Sequence, residues 1–281
     1  MKRRRGKLWL DAAVAGAAAG ILAQVMVYRL NPEVTQAPGP ILAGTPLWAT
    51  WGAVGFGLPL LFGAMIVRRI LHRKGDWWVP ELTAMAYLVA GVVSNLNGGL
   101  HEHLLSPSAQ RVMQQDAVAW GAGVLLALLG GNLVRRRGSA PGLRYGFAVA
   151  LMLLPLVRLL SQSTPPGVPL QVAARPIGVP EHRLVVVGVE GMDVGVLLGP
   201  ATDARFQSLR ALRLAGSWGP LVPHRPHLRG SAWTSLATGT YPDRHGLKSH
   251  WGWLLPWQPQ APLRLLPWTP SGSRLILPWG L

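Results

Sequence analysis

The 281-residue chain contains no cysteine, which excludes disulfide bonds and thiolate metal ligands. Acidic residues are also scarce, since 11 Asp and Glu residues accompany 27 Lys and Arg residues. Charged residues of both signs make up only 14% of the chain, whereas hydrophobic residues make up 49%. So low a charged fraction favours a protein that places much of its length in a lipid bilayer.

Five long apolar segments account for most of this hydrophobicity. They are Leu8 to Val27, Leu47 to Val67, Leu82 to Leu96, Ala117 to Val134 and Tyr145 to Leu160. About twenty apolar residues are needed to cross the hydrocarbon core, so the first two segments suffice and the other three need flanking residues. The sequence therefore predicts an α-helical polytopic membrane domain with about five transmembrane helices over residues 1–160.

Basic residues are unevenly distributed around these segments. Thirteen lie before the first, between the second and third, and between the fourth and fifth, whereas the alternate loops contain only Arg29 and Arg111. Because cytoplasmic loops carry the excess of Lys and Arg, we expect a cytoplasmic amino terminus and an external location after the fifth segment. This topology, together with anionic lipid headgroups, explains nearly half of the basic residues, and we predict no nucleic-acid partner.

The rest of the chain is also basic. From Arg158 onward it has 12 basic residues and five acidic ones. A phosphate-ester or lipid-headgroup substrate would fit this excess, and so would a basic surface with no specific ligand.

A few residues in the apolar segments are predicted to lie between helices. Asp11 and Gln24 are expensive in a bilayer unless they are paired, which indicates the interior of a bundle. Gly16 and Gly20 form a small-x-x-x-small pair that allows close packing on another helix or on a partner membrane protein. Asp11 and the four further segments also favour a retained anchor over a cleaved signal peptide.

Two regions differ in composition from the membrane domain. Residues 161–182 are rich in Pro, Gly and Ser without periodicity, which is typical of a linker. Residues 251–281 contain five Trp residues, many Pro residues and no acid. Proline at this density prevents a regular helix, and Trp with Arg favours either the headgroup layer or an aromatic-lined protein contact.

Between these two regions, residues 183–250 have the pattern of an α/β segment. Leu184 to Val189 is typical of a strand buried in a parallel sheet. Glu190 follows it, at the edge where open α/β sheets bind ligands, so it is a candidate metal ligand. The alternative is that Glu190 caps the next helix. Phe206 to Ala215 has helical spacing with Gly216 as a stop.

A second helix is predicted close to the end of this segment. Trp233 to Thr238 forms its body, with Ser231 and Thr234 as candidate caps and Gly239 at its end. Turn residues follow it, including Pro242.

These elements resemble the alkaline phosphatase superfamily, in its type I phosphodiesterase and nucleotide pyrophosphatase branch. The resemblance lies in Gly188 to Gly191, Ser208 to Gly216 and above all Trp233 to Gly246, which follows the pattern W-x-S-x-x-T-G-x-x-P-x-x-H-G. It covers Arg183 to His250. It implies a two-metal hydrolase, usually with zinc, in which a Ser or Thr attacks phosphorus.

The chain departs from this family pattern at three points. Glu190 stands where the family has a metal-binding Asp, and Arg229 stands at the position of the nucleophile. Ser231 is the nearest hydroxyl that could replace the nucleophile, with a role in capping the helix as its alternative. The D-H-G-like motifs that supply the family's remaining metal ligands do not occur before Leu281.

The sequence thus predicts a polytopic protein of a bacterial inner membrane followed by a partial phosphodiesterase-like segment outside the cytoplasm. We expect an incomplete or degenerate phosphodiesterase or phosphatase, with Glu190 on a divalent metal and Ser231 as the candidate nucleophile if it is active. The alternative is a non-catalytic membrane subunit of a larger complex, which binds partner proteins or pigment-like cofactors through its helices and its Trp-rich tail.

Overall fold

The computed structural model describes residues 2–34, 37–70, 78–136, 141–161, 185–189, 207–219, 221, 228–249 and 252–267. The chain divides into two compact units, of which the larger comprises Met1–Leu170 and His224–Leu281. The smaller comprises Gln171–Pro223. The residues that carry the phosphodiesterase resemblance are therefore shared between the two units, and Trp233 to Gly246 belong to the larger.

Six long helices form most of the larger unit. They are α1 (Lys2–Leu30), α2 (Pro38–Gly55), α3 (Gly57–Ile70), α4 (Val79–Leu100), α5 (Pro107–Arg136) and α6 (Pro141–Ser161), with a 3-10 turn at Glu102–Leu104. Among the described residues, five stretches are long and apolar enough to cross a membrane, with α2 and most of α3 together forming one of them. The five predicted apolar segments are thus helical and of sufficient length, which suggests a membrane protein.

The second segment, predicted as one helix, is interrupted at Phe56. The Phe56 N–H still donates to the Gly52 carbonyl at 2.9 Å, and α3 starts immediately afterwards. Pro59 explains the interruption, because proline has no N–H to donate to the Gly55 carbonyl and its ring clashes with that carbonyl.

The ends of the bundle are fixed by ion pairs between helices. At the end where α1 and α6 finish and α5 begins, which we name the distal end, Arg29 contacts Asp116 at 2.9 Å. Arg158 of α6 contacts the same carboxylate at 2.5 Å. At the opposite, proximal end, Arg135 pairs with Glu81 at 2.7 Å.

The core lies around α1, which packs against all five other long helices. Tyr28, Tyr87 and Trp120 are fully buried in its main cluster. The Tyr87 hydroxyl donates to the Leu151 carbonyl at 2.6 Å, which ties α4 to α6.

Glycines allow α1 and α2 to approach closely. A Cβ on Gly16 would lie 2.6 Å from the Gly52 carbonyl oxygen, and a Cβ on Gly20 would collide with the Trp48 carbonyl oxygen. No side chain fits at either position unless the backbone moves, so the prediction of close packing at Gly16 and Gly20 is confirmed.

The polar residues of α1 lie in the bundle interior, as predicted. Asp11 is 3% exposed, and its carboxylate accepts a 2.7 Å hydrogen bond from the Trp78 backbone N–H. The fully buried Gln24 amide donates to the Ile41 carbonyl at 2.9 Å. Each side chain thus bonds the chain at or near the start of a neighbouring helix, which offsets its cost in a bilayer.

The described part of the smaller unit consists of residues 185–189, α7 (Gln207–Ala215) and the residues just after this helix. The predicted helix is confirmed at α7, where the Gly216 N–H donates to the Leu212 carbonyl at 3.0 Å. The predicted buried strand is wrong, because residues 185–189 form no strand and Val185 is 80% exposed. A parallel strand requires neighbours on the sheet, and none of the described residues pairs with this run.

The carboxy-terminal part of the larger unit contains α8 (Arg229–Thr238), α9 (Pro242–His245), β1 (Trp253–Leu255) and β2 (Gln258–Leu263). The two strands form an antiparallel hairpin in which Leu255 is opposite Gln258. No helix occurs in the described part of the Trp-rich tail, residues 252–267, as its proline content predicts.

Candidate functional site

The candidate site is the motif segment, which we define as residues 228–249 and which contains α8 and α9. Two glycines shape it. Gly239 ends α8 with φ 66° and donates to the Ser235 carbonyl at 2.8 Å, and Gly246 ends α9 with φ 78°. Both are left-handed conformations that favour glycine. The local backbone conformation therefore explains why the motif has glycine in its T-G and H-G pairs.

A hydrogen bond between side chains joins the two helices. Ser235 Oγ lies 2.9 Å from His245 Nε2, while His245 Nδ1 accepts a 3.1 Å bond from the Leu247 N–H. Because Nδ1 is an acceptor, the neutral imidazole carries its proton on Nε2 and donates it to Ser235. In this tautomer His245 cannot act as a base for Ser235, so the pair holds the turn together rather than forming a nucleophile and its base.

Ser231, the candidate nucleophile, lies inside the first turn of α8. The helix begins at Arg229, earlier than predicted, and its cap position is Leu228, which has no side-chain cap. Ser231 is fully buried, and its hydroxyl donates to the Leu228 carbonyl at 3.0 Å. The predicted capping role of Ser231 is therefore wrong, and its catalytic role stays a prediction.

Asn31, directly after α1, binds the chain that follows β2. Its side-chain oxygen accepts hydrogen bonds from the backbone N–H groups of Arg264, at 2.7 Å, and Leu265, at 2.9 Å. Its side-chain nitrogen donates to the carbonyls of Leu265 and Val27, both at 2.8 Å. The buried Asn31 amide thus fixes the tail to the end of α1, and both its oxygen and its nitrogen have hydrogen-bond partners.

The motif segment itself contacts the distal end of the bundle. Lys248 is 4% exposed and pairs with Glu33 at 2.7 Å. The Tyr241 ring stacks on His103 with centroids 5.0 Å apart. Leu228 packs against the cluster that contains Leu30. The start of α8 and the turn after α9 are therefore held against the membrane helices.

Two buried basic side chains at this contact have shifted pKa values. Burial lowers the pKa of His101 to about 4, and the positive charge of Lys248 adds to the effect. Burial also lowers the pKa of Lys248, although Glu33 opposes the shift. His101 is therefore neutral at physiological pH.

The described residues do not fit the metal centre that the resemblance implies. Within the described ranges there is no group of three His, Asp or Glu residues that could hold a metal ion. His101 and His103 are close in sequence but lie in different environments. His101 is buried, and His103 stacks on Tyr241. Glu190 lies outside the described residues, so its predicted metal role stays a prediction.

Sequence reasoning missed the residues that join the carboxy-terminal part of the larger unit to the bundle. Asn31, Glu33 and Lys248 carry no motif. Asn31 meets Leu265, and Glu33 meets Lys248, in each case across more than 200 positions of sequence. A weak signal did exist, because Asn31 directly follows an apolar segment, at a depth where a polar side chain needs a partner.

Comparison with known proteins agrees with the motif. A family model described as Type I phosphodiesterase / nucleotide pyrophosphatase matches residues 184–252. The searches of curated proteins and of solved structures gave no significant match. The match covers 69 of 281 residues, and over this segment the chain is similar to the type I phosphodiesterases, which confirms the resemblance seen in the sequence.

Proposed function

We propose that this protein is a membrane-anchored, phosphodiesterase-like protein of the bacterial inner membrane, in which the motif segment is a structural part of the bundle and does not itself hydrolyse phosphate esters. The family match and the five apolar stretches support the first part. The excess of basic residues in alternate loops supports a cytoplasmic amino terminus and a distal end outside the cytoplasm.

The observation that carries the second part is the burial of Ser231. A nucleophile needs access to phosphorus and an activating base or metal. The Ser231 hydroxyl is fully buried and donates to the carbonyl of Leu228, the cap residue of its own helix. Arg229 occupies the family position of the nucleophile, and a guanidinium cannot serve as one.

The protein would then act as a non-catalytic subunit. The buried ion pair of Lys248 with Glu33 fixes the motif segment as a cover over the distal end, and Asn31 fixes the tail to the same end. Partner membrane proteins could bind there. The exposed residues of α8, including Leu236 at 52% exposure, would be the part of this cover presented to a partner.

Metal-dependent hydrolysis of a phosphate ester is the second candidate function. The complete motif from Trp233 to Gly246 and the family match favour it. It would need a divalent metal, with zinc as the first choice, held by Glu190 and by further ligands outside the described residues. Ser231 would have to become accessible in order to take part.

One assay separates these functions. The full-length protein in mild detergent is incubated with bis(p-nitrophenyl) phosphate, with and without zinc, beside the variants Ser231→Ala and Glu190→Ala. Thr240→Ala serves as a matched control, because it removes an exposed hydroxyl. We expect no zinc-dependent release of nitrophenol. Zinc-dependent hydrolysis that both test variants abolish and the control retains would contradict the non-catalytic proposal.

A further inference from the structure

A buried charge cluster at the distal end has no role in the function proposed above. It consists of Arg29, Asp116 and Arg158, from three different helices. Arg29 and Asp116 are nearly inaccessible, with side chains 3% and 2% exposed, whereas the Arg158 side chain is 23% exposed. Arg29 also donates to the Arg158 carbonyl at 3.4 Å, so the three residues form one connected group.

One carboxylate serves two guanidinium groups in this cluster. Asp116 has one oxygen 2.9 Å from Arg29 Nε and the other 2.5 Å from Arg158 Nε. At the proximal end, by contrast, Arg135 and Glu81 form a pair of equal and opposite charges. Arg158 therefore shares its counter-ion with Arg29, and a further anion beside Arg158 would be electrostatically favourable.

Arg158 has the hydrogen-bond donors to receive such an anion. Its Nε is occupied by Asp116, but neither terminal nitrogen is hydrogen-bonded within the described part of the chain. The contact with Asp116 fixes the orientation of the guanidinium. The neighbouring Val157 is 61% exposed, so this part of α6 is open to the surroundings. A fixed fork of donors suits two oxygens of a phosphate group.

The depth of the cluster indicates where the phosphate would come from. Asp116 and Arg135 lie 19 residues apart on α5, which corresponds to about 29 Å at 1.5 Å per residue. The hydrocarbon core is about 30 Å thick. If Arg135 lies at one boundary of the core, Asp116 lies at the other, at the depth of the lipid phosphates.

We propose that Arg158, held by Asp116 and Arg29, binds the phosphate group of a lipid headgroup at the distal membrane boundary. The ligand class is a phosphate mono- or diester. Arg29 and Asp116 position the guanidinium, and Arg158 makes the contact. Free inorganic phosphate has the same chemistry and is distinguished by the experiment.

The test uses the delipidated full-length protein in detergent and native mass spectrometry. Phosphatidylglycerol, a neutral diacylglycerol glycolipid and inorganic phosphate are titrated against the wild type, Arg158→Gln and Arg158→Lys. Arg111→Gln is the matched control, because Arg111 is exposed on α5 and makes no ion pair with the described residues. Thermal unfolding of each variant shows that it is folded.

We expect Arg158→Gln to lower the affinity for phosphatidylglycerol at least about tenfold, as the loss of a charged hydrogen bond would. Arg158→Lys, which keeps the charge but loses the fork, should fold and bind less tightly than the wild type. The control should bind as the wild type does. Inorganic phosphate that binds in the same Arg158-dependent way, without phosphatidylglycerol binding, would support the site and assign it to the free anion.

Three results would overturn the proposal. The first is equal binding of phosphatidylglycerol by the wild type and folded Arg158→Lys or Arg158→Gln. The second is equal binding of the glycolipid, which has no phosphate. The third is an equal loss of affinity in Arg111→Gln, which would indicate a general effect of surface charge.

Discussion

Replacing Asn31 with alanine should release the Trp-rich tail from the bundle. The substitution removes three buried hydrogen bonds and one part-buried one, and it leaves the backbone N–H groups of Arg264 and Leu265 without their acceptor. An unsatisfied buried donor costs about 1–3 kcal/mol. Two such donors, one of them partly exposed, give about 3 kcal/mol for local opening of residues 263–267. This corresponds to amide hydrogen exchange about 100-fold faster.

Hydrogen exchange measured by mass spectrometry on the detergent-solubilised protein reports this opening. Asn31→Asp is an informative intermediate, because its oxygens still accept from both N–H groups while the donor to the Leu265 carbonyl is lost. Asn95→Ala is the matched control, since the Asn95 amide is exposed on α4 and unbonded within the described residues. Equal exchange of residues 263–267 in Asn31→Ala, Asn95→Ala and the wild type would refute the reasoning.

Three further substitutions test other parts of the bundle. Asp116→Ala removes the carboxylate shared by the buried Arg29 and the partly exposed Arg158, and it should destabilise the protein by about 3 kcal/mol, seen as a lower unfolding temperature in detergent. An unchanged temperature would show that the ion cluster does not hold the helices together. Gly20→Leu should prevent α1 from packing on α2 and abolish the folded state, whereas Gly121→Leu, which points into open space, should fold normally. Equal behaviour of these two variants would contradict the packing of α1 on α2. The pKa of His101 is lowered to about 4, so the unfolded chain binds an extra proton between pH 6.5 and 4, and wild-type stability should fall by about 3 kcal/mol over this range. The stability of His101→Gln should lack this pH-dependent loss, so the difference between the pH profiles of the two proteins measures the contribution of His101. Identical profiles would show that His101 is not buried as a neutral group.

The membrane domain could be predicted because its signals are local. Length, hydropathy and the distribution of basic residues give the five segments without knowledge of any long-range contact. The interior positions of Asp11 and Gln24 could also be predicted, since a bilayer offers polar side chains no other partner. Their partners could not, because which helix start meets each side chain depends on the three-dimensional packing.

The candidate site was predictable only where it follows a motif. The left-handed glycines Gly239 and Gly246 agree with the T-G and H-G pairs. The start of α8 was placed too late because Arg229 and Gly230 carry no conventional cap signal, and the turn is fixed instead by packing of Leu228 on the bundle. The strand predicted at Leu184 to Val189 is absent from its described part, residues 185–189. An apolar run shows that burial is possible but does not supply the neighbouring strands.

The central claim is that the phosphodiesterase-like motif segment is fixed to the distal end of the membrane bundle. Because the chain contains no cysteine, cross-linking of introduced cysteines can be measured without removing native ones. Cysteines introduced by Glu33→Cys and Lys248→Cys replace a pair whose charged atoms lie 2.7 Å apart. We predict that a short bismaleimide links them within one chain in native membranes, while the pair Asn95→Cys and Lys248→Cys stays unlinked. Failure to link the cysteines introduced at positions 33 and 248, when each reacts singly with maleimide, would contradict the account.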